Sequence, residues 1–533
     1  MKRIYTLFLC ISTLSSIPAH ADFAFNLRRA QRRIFAHTIK SAVSNFDELK
    51  AVPTQNQNGD ELLYTDKRGS FNKALKHQDS GFPDVNAFAS LVRALDVNTQ
   101  ALFNNIILGG TRHLVNPQGA FFYSLSANDG WINAIPAAPA FASAETAGEM
   151  VEDYWTVLLR DTCFFEFDTD PTAAMAVTDL NKLSDFKGPK IGGAVTTGTL
   201  LRGNAPGELV GPFISQFLYL DVPTGPMTLK QLVMSPMAGE DYMTSFADWF
   251  AIVNGESTGG PLNYNGERYI ITPRDLTEFV HKDFPCFEGT NAALILTSFG
   301  SGALDPANPY TNNATQDGFV SFGLSELLDL VQAAAHEALK TAWYQKWLVN
   351  RRLRPEEFGF YLDYQLTNGT NLGIHSDLLN SAVLPLIAAN QSNRYFLAQA
   401  YPEGSPAHPS YIAGHACFIG AGITILKAWF NENFVIPNPM VPDCAHPDVL
   451  TAYTGDDLTV GGELNKLASN VSLGRDMAGV HYRSDGWQGM LLGEQVAIDL
   501  LNNTSFLFNE NFAGFSLTTF EGKKITVGGR RTV

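Results

Sequence analysis

Three short segments in the C-terminal part of the chain hold residue types suited to gripping an oxyanion and moving its protons. The first runs from Lys346 to Arg354-Pro355. Lys346 lies near the end of a helical pattern, and Arg354 sits where proline forces the chain out of helix, so the two cations can converge on one anion. Taken alone, such a run equally fits a solvated helix end, where cations favour the negative pole of the dipole. The second segment is His408-Pro-Ser-Tyr-Ile-Ala-Gly414-His415, opening an apolar helix. Glycine at a helix start lets an anion approach free backbone N–H groups, and His415 would stand beside it as acid or base. The spacing of His408 and His415 matches no common zinc motif. The third segment carries Arg475, Gly479, His481 and Asp485. Asp485 follows His481 by one helical turn, which predicts a carboxylate orienting the imidazole on one helix face. Separately each segment has an ordinary structural explanation. Together they supply three cations, a backbone amide and two histidines, a set that suits a tetrahedral oxyanion with one histidine bonding its central atom.

The elements that must position these residues read as helices. Apolar residues recur at three- and four-residue spacing from about Leu324 to Arg352, from about Ala413 through Trp429, and from about Gly486 to Leu501. Strand signals are short, the best being Ile525-Thr526-Val527. Glycine, proline and asparagine gather in long polar stretches at 52–60, 254–268 and 301–317, which read as surface loops. The expectation is an all-α protein of two packed four-helix-bundle-like cores with long loops and minor short β-strands. An N-terminal helical region would span 22–290 and a C-terminal region carrying the oxyanion site 291–533.

Residues 1–21 have the form of a signal peptide, with Lys2 and Arg3, an apolar run, and Ala19-His20-Ala21 before a cleavage point. The expected location is secreted or periplasmic. The formal charge of −16 argues against nucleic acid and anionic membrane as partners. Past the signal, Cys163, Cys286, Cys417 and Cys444 allow up to two disulfides in three connectivities, with a free buried thiol equally fitting Cys417.

The three segments resemble the signature of the vanadium-dependent haloperoxidases and the acid phosphatases that share their fold: Lys then Arg-Pro, Pro-Ser-Gly-His, and Arg, His, Asp. Gly207-Glu-Leu-Val-Gly-Pro-Phe, Leu304-Asp-Pro-Ala-Asn-Pro-Tyr310 and Met477-Ala-Gly-Val-His-Tyr482 resemble the algal and bacterial bromoperoxidase branch. The resemblance implies vanadate as cofactor, with His481 bonded to vanadium. Lys346, Arg354 and Arg475 would neutralise its oxygens, Gly414 would donate its N–H, and His415 would act as acid/base. It also implies Asp283 as acidic partner of the third cation, and Trp343 and His408 as a halide-binding wall that favours bromide and iodide over chloride. Hydrogen peroxide, a halide and a small organic acceptor would be the reaction partners, and the protein a homo-oligomer. The basic pairs Arg28-Arg29 and Arg32-Arg33 are candidates for bridging subunits, or for a solvated helix face. Ala413 departs from the family pattern, which has serine there to hydrogen-bond the oxyanion. Two other functions fit the same residues: an acid phosphatase with His481 as nucleophile, and a non-catalytic oxyanion-binding protein.

Overall fold

The apolar stretch that begins at Gly414 becomes a helix buried along almost its whole length. The structure is a computed structural model describing residues 52–529, with Leu27, residues 29–31, 33–34, 37–38 and Ser41. The expected signal peptide, Arg28 and Arg32 lie outside the described residues, while Arg29 and Arg33 are exposed. The elements that matter for the site are α1 (Ala144–Leu159), α2 (Pro273–Phe279), α3 (Phe287–Ser298), α4 (Leu324–Tyr344), α5 (Pro355–Asn368), α6 (Gly414–Trp429), α7 (Val460–Met477) and α8 (Arg483–Ser505). Strands form only two-stranded antiparallel ribbons among the described residues. One of them, Phe515–Thr518 with Lys524–Val527, contains the strand expected from sequence.

Helix α6 is buried along its whole length except at His415. It is apolar on every face because α4, α7 and α8 pack around it. Glycines set the α6–α8 distance. A Cβ on Gly489 would lie 2.9 Å from the Ala413 carbonyl oxygen, and one on Gly493 would lie 2.1 Å from that of Cys417. These contacts advance together along both helices, so α6 and α8 run parallel and begin at the same end. Helices α4 and α7 end there, with Lys346 just past α4 and Arg475 in the last turn of α7. Two helix N-termini thus meet the ends of two cation-bearing helices, and the bundle expected from sequence places the site at that end.

The main core cluster of buried residues extends from Ala127 to Val527, continuous across position 290. A smaller cluster packs Phe71, Leu75, Phe88, Leu91 and Leu95 against Trp347, directly behind Lys346. The long helix predicted to reach Arg352 is α-helical only to Tyr344. Gln345–Asn350 widen into a π-turn, which Arg351 ends with a left-handed backbone (φ 39°). Such insertions swing side chains off the regular helical face. Of the four cysteines, Cys163 and Cys444 are joined in a disulfide. Cys286 and Cys417 are buried thiols, so a second disulfide does not form. Their surroundings explain it: the Cys417 thiol donates to the Ala338 carbonyl at 3.2 Å, whereas Cys286 is packed against Gly289 and Gly422.

Candidate active site

Lys346, Arg354, His408, Gly414, His481 and Asp485 are buried together at the end of the bundle, with Arg475 almost fully so. The Lys346 ammonium donates to the carbonyl oxygens of Pro409 and Ser410 at 2.7 and 2.8 Å. Arg354 caps α5, its backbone N–H held by Glu357 at 2.6 Å. Its guanidinium donates to the carbonyls of His408 (2.9 Å) and Val480 (2.7 Å), to His481 Nε2 (2.9 Å) and to His408 Nδ1 (2.9 Å). Arg475 donates through Nη1 to the Val280 carbonyl at 2.6 Å and to the Tyr401 hydroxyl at 3.3 Å, while its buried Nε has no partner.

Among the described residues, none of these three cations forms a salt bridge. Every acceptor they meet is neutral. Burying an ion without a counter-charge costs several kcal/mol even after relaxation. For Lys346 and Arg354 the cost appears in the proton affinities. Burial, then the charge of Arg354, pushes Lys346 well below the usual lysine range, and burial pulls Arg354 down to about 10. An anion bound among them would reverse both shifts.

His481 is oriented for nucleophilic or ligand duty. Its Nδ1–H donates to Asp485 Oδ2 at 2.9 Å, and Nε2, which accepts from Arg354, carries the lone pair. Burial first, and then Arg354 and Lys346, hold this imidazole well below its ordinary value, so it stays neutral. The pair is not arranged along one helix face as the spacing suggested. His481 lies in the turn before α8, and Asp485 occupies the third helical position, where it also accepts the N–H of Tyr482, the N-cap, at 3.2 Å. Gly479, at φ 81°, turns the chain from α7 into this cap. A side chain there would meet Gln399 Nε2 at 2.7 Å.

His415 follows Gly414, the first residue of α6, and its side chain remains 22% exposed, giving the site an opening. Its Nε2 is hydrogen-bonded to Asp283 Oδ1 at 2.9 Å. This corrects the expectation that Asp283 serves the third cation: its carboxylate bonds His415, and Arg475 acts on it only through space. Val280 already presents its carbonyl to Arg475, and Asp283, three residues beyond it, is placed against His415 instead. Burial lowers the His415 proton affinity despite Asp283. With Nε2–H committed to Asp283, Nδ1 is the nitrogen left to exchange a proton.

Trp343 and His408 form one wall. Their ring centroids are 4.9 Å apart at 44°, and Trp343 Cζ3 lies 3.5 Å from where a Gly414 Cβ would stand. The buried Trp343 indole N–H has no partner. Ala413 is buried, presents a methyl group, and uses its N–H on the Asp485 carbonyl at 2.9 Å.

Two contributors escaped sequence reasoning. Arg352 bonds Asp485 Oδ1 at 2.8 Å and Glu149 at 2.7 Å, and Ser410 donates to Asp485 Oδ2. The signal for Arg352 was its two-residue offset from Arg354: in the extended backbone before α5 such residues project to the same side. Ser410 carried no signal, because a lone serine in a loop is usually solvent-facing.

The donor set fits a tetrahedral oxyanion such as vanadate. It combines unpaired cations, the partnerless Arg475 Nε, the N–H groups of the first turn of α6, which have no acceptor within the helix, and a neutral imidazole lone pair.

Comparisons with known proteins agree. Residues 384–510 match the VCPO second helical-bundle domain. The chain is 31% identical to a vanadium-dependent bromoperoxidase of Corallina officinalis, covering 96% of this chain and 99% of the relative. It is 34% identical to one of Ascophyllum nodosum, covering 87% and 89%. The structure superimposes on the homohexameric second vanadate-dependent bromoperoxidase of A. nodosum with a TM-score of 0.86 at 27% identity, over 96% of this chain and 90% of that one. By sequence similarity over nearly its whole length, this chain belongs to the vanadium-dependent haloperoxidase family.

Proposed function

We propose that this protein is a vanadate-dependent haloperoxidase that uses hydrogen peroxide to oxidise bromide or iodide and halogenate small organic acceptors. The observation that carries the reading is the group of three buried cations without a counter-ion, converging with an imidazole lone pair. Lys346, Arg354, Arg475 and the Gly414 N–H would hold the vanadate oxygens and His481 Nε2 would bond vanadium. Bound vanadate supplies the electrophilic centre that activates peroxide toward a halide ion. The chain's own part is positional and acid–base. Asp485, fixed by Arg352 and Ser410, keeps His481 in the Nδ1–H tautomer. His415, neutral and tied to Asp283, offers Nδ1 to accept a proton from incoming peroxide and return it to the departing oxygen. The cations draw electron density away from the reacting oxygens.

The aromatic wall of Trp343 and His408, with its free indole N–H, supports bromide and iodide as substrates over chloride. An exported protein is supported by the Cys163–Cys444 disulfide and by the signal-like residues 1–21. Self-association is supported by the homohexameric relative.

The test strips bound oxyanions, restores vanadate or phosphate separately, and follows halogenation of a phenol with peroxide and each halide beside phosphate-ester hydrolysis. Vanadate-loaded protein is expected to halogenate with bromide and iodide. Loss of halogenation, with ester hydrolysis in its place, would instead support the phosphatase chemistry of His481.

A further inference from the structure

Arg475 is held from one side by a group the mechanism above does not use. His281 lies flat on the ring of Tyr401, with centroids 3.8 Å apart and planes at 6°. The Tyr401 hydroxyl donates to the Thr277 carbonyl at 2.6 Å and accepts from Arg475 Nη1 at 3.3 Å. The Arg475 guanidinium also stands 5.4 Å from the Tyr401 ring centre. His281 itself bridges two carboxylates: Nδ1 meets Glu278 Oε2 at 3.0 Å and Nε2 meets Glu403 Oε1 at 2.6 Å. Carboxylates only accept, so both ring nitrogens must donate, and a doubly donating imidazole is an imidazolium.

We propose that His281, as a charged bridge between Glu278 and Glu403, is a positioning residue that clamps Tyr401 and through it aims Arg475 at the bound oxyanion. The inference rests on the oxyanion-site reading above. The bridge ties the segment that follows α2, which also supplies Val280 to Arg475 and Asp283 to His415, to the loop carrying Tyr401 and Glu403. One clamp therefore governs the placement of a cation and the anchorage of an acid/base group.

The charged neighbours are consistent with it. Glu278 also accepts from the Tyr264 hydroxyl at 2.7 Å and lies 3.8 Å from Lys282. Lys73 and Arg112 reach Glu403 only at its backbone carbonyl, at 2.9 and 2.8 Å, leaving its carboxylate to His281. Arg475 lies beyond the Tyr401 ring and Asp283 two residues along the chain. Burial works against the charge on His281, and the two glutamates outweigh it, raising its proton affinity above the ordinary value. The clamp is complete below that raised value and is lost as pH rises through it.

The test measures inorganic phosphate binding by calorimetry to oxyanion-stripped full-length protein across neutral to alkaline pH, in wild type, His281→Arg, His281→Phe and Tyr401→Phe. Arginine stacks on aromatic rings, bonds two carboxylates and stays charged. Phosphate ionisation and every other titration are shared, so the His281→Arg to wild-type affinity ratio isolates His281. That ratio is expected to rise by roughly tenfold from neutral to alkaline pH, a typical effect of losing an outer support of an ion site. His281→Phe and Tyr401→Phe should be weaker than His281→Arg at neutral pH. The ring-proton resonance of His281 in wild type should titrate above the ordinary histidine range, a readout that needs no variant. A constant ratio, or a His281 resonance that titrates below the ordinary range, would overturn the clamp while leaving the oxyanion site intact. Failure of wild type to bind phosphate or vanadate at all would overturn the functional reading and the clamp with it.

Discussion

Arg352 and Arg354 are two residues apart, equally buried, and have opposite electrostatic surroundings. Arg352 is bound by the carboxylates of Glu149 and Asp485, lies 3.7 Å over the Tyr482 ring, and has its proton affinity raised. Arg354 has only carbonyls and imidazoles for partners, and burial lowers its proton affinity to about 10. The same contrast separates two regions of the molecule. Arg483 is closed by Glu152, and Arg274 by Asp161 and Asp241. Lys346 and Arg475 share the open state of Arg354. The cations closed by carboxylates here belong to the scaffold, whereas Lys346, Arg354 and Arg475 are left open and converge at one end of the bundle.

The sharpest way to break this comparison is to remove each arginine. Arg352→Met would leave Glu149 and Asp485 without their cation and should lower the unfolding free energy by about 3–5 kcal/mol. Urea denaturation of the oxyanion-free protein measures it. Arg354→Met should leave that stability unchanged or raise it, while vanadate affinity measured by calorimetry falls by at least roughly 100-fold, the upper end for a supporting group. Equal destabilisation by the two substitutions would remove the distinction.

A second effect follows from Lys346. Its folded proton affinity is held well below the ordinary lysine value, so the folded protein releases this proton at a lower pH than the unfolded chain. In that window the unfolded state binds more protons, and stability rises with pH by up to about 1.4 kcal/mol per unit. Oxyanion-free wild type should therefore gain stability, relative to Lys346→Met, as pH rises from the depressed value toward the unfolded one. Saturating vanadate, by keeping Lys346 charged, should flatten that gain.

The smallest change concerns Ala413. Restoring a hydroxyl at the start of α6 adds a hydrogen bond to a charged group, worth about 1.5–3 kcal/mol. Ala413→Ser should tighten vanadate binding by roughly tenfold or more, measured by the same calorimetry. An unchanged affinity would mean that the first-turn N–H groups and cations already satisfy the oxyanion.

Much of the site was readable before the fold. Lys346, Arg354, Gly414, Arg475 and His481 carry strong chemistry in short segments, and Arg354, Gly414 and His481 sit within two residues of a helix boundary marked by Pro355, Ala413 and Gly479. The apolar runs likewise revealed α4, α6 and α8, because their buried faces are lined with apolar residues at helical spacing, whereas α7, buried at every residue, is too polar in composition to announce itself. What was not legible depended on distance in sequence. Asp283 reaches His415 across the molecule, Glu149 reaches Arg352, and Tyr401 reaches Arg475. No local pattern encodes those pairings. The π-turn at Gln345–Asn350 was hidden for a different reason, since its residues continue an ordinary helical periodicity and only the packing of Trp347 distinguishes them.

The central claim, that the open cations form a vanadate site for halide oxidation, is tested most directly by titrating orthovanadate into stripped protein and measuring bromide-dependent bromination with peroxide at each point. Bromination should rise in proportion to occupancy of a single site and be absent in Arg354→Met at the same vanadate concentration. Saturable vanadate binding without bromination, or bromination that ignores Arg354, would contradict the account.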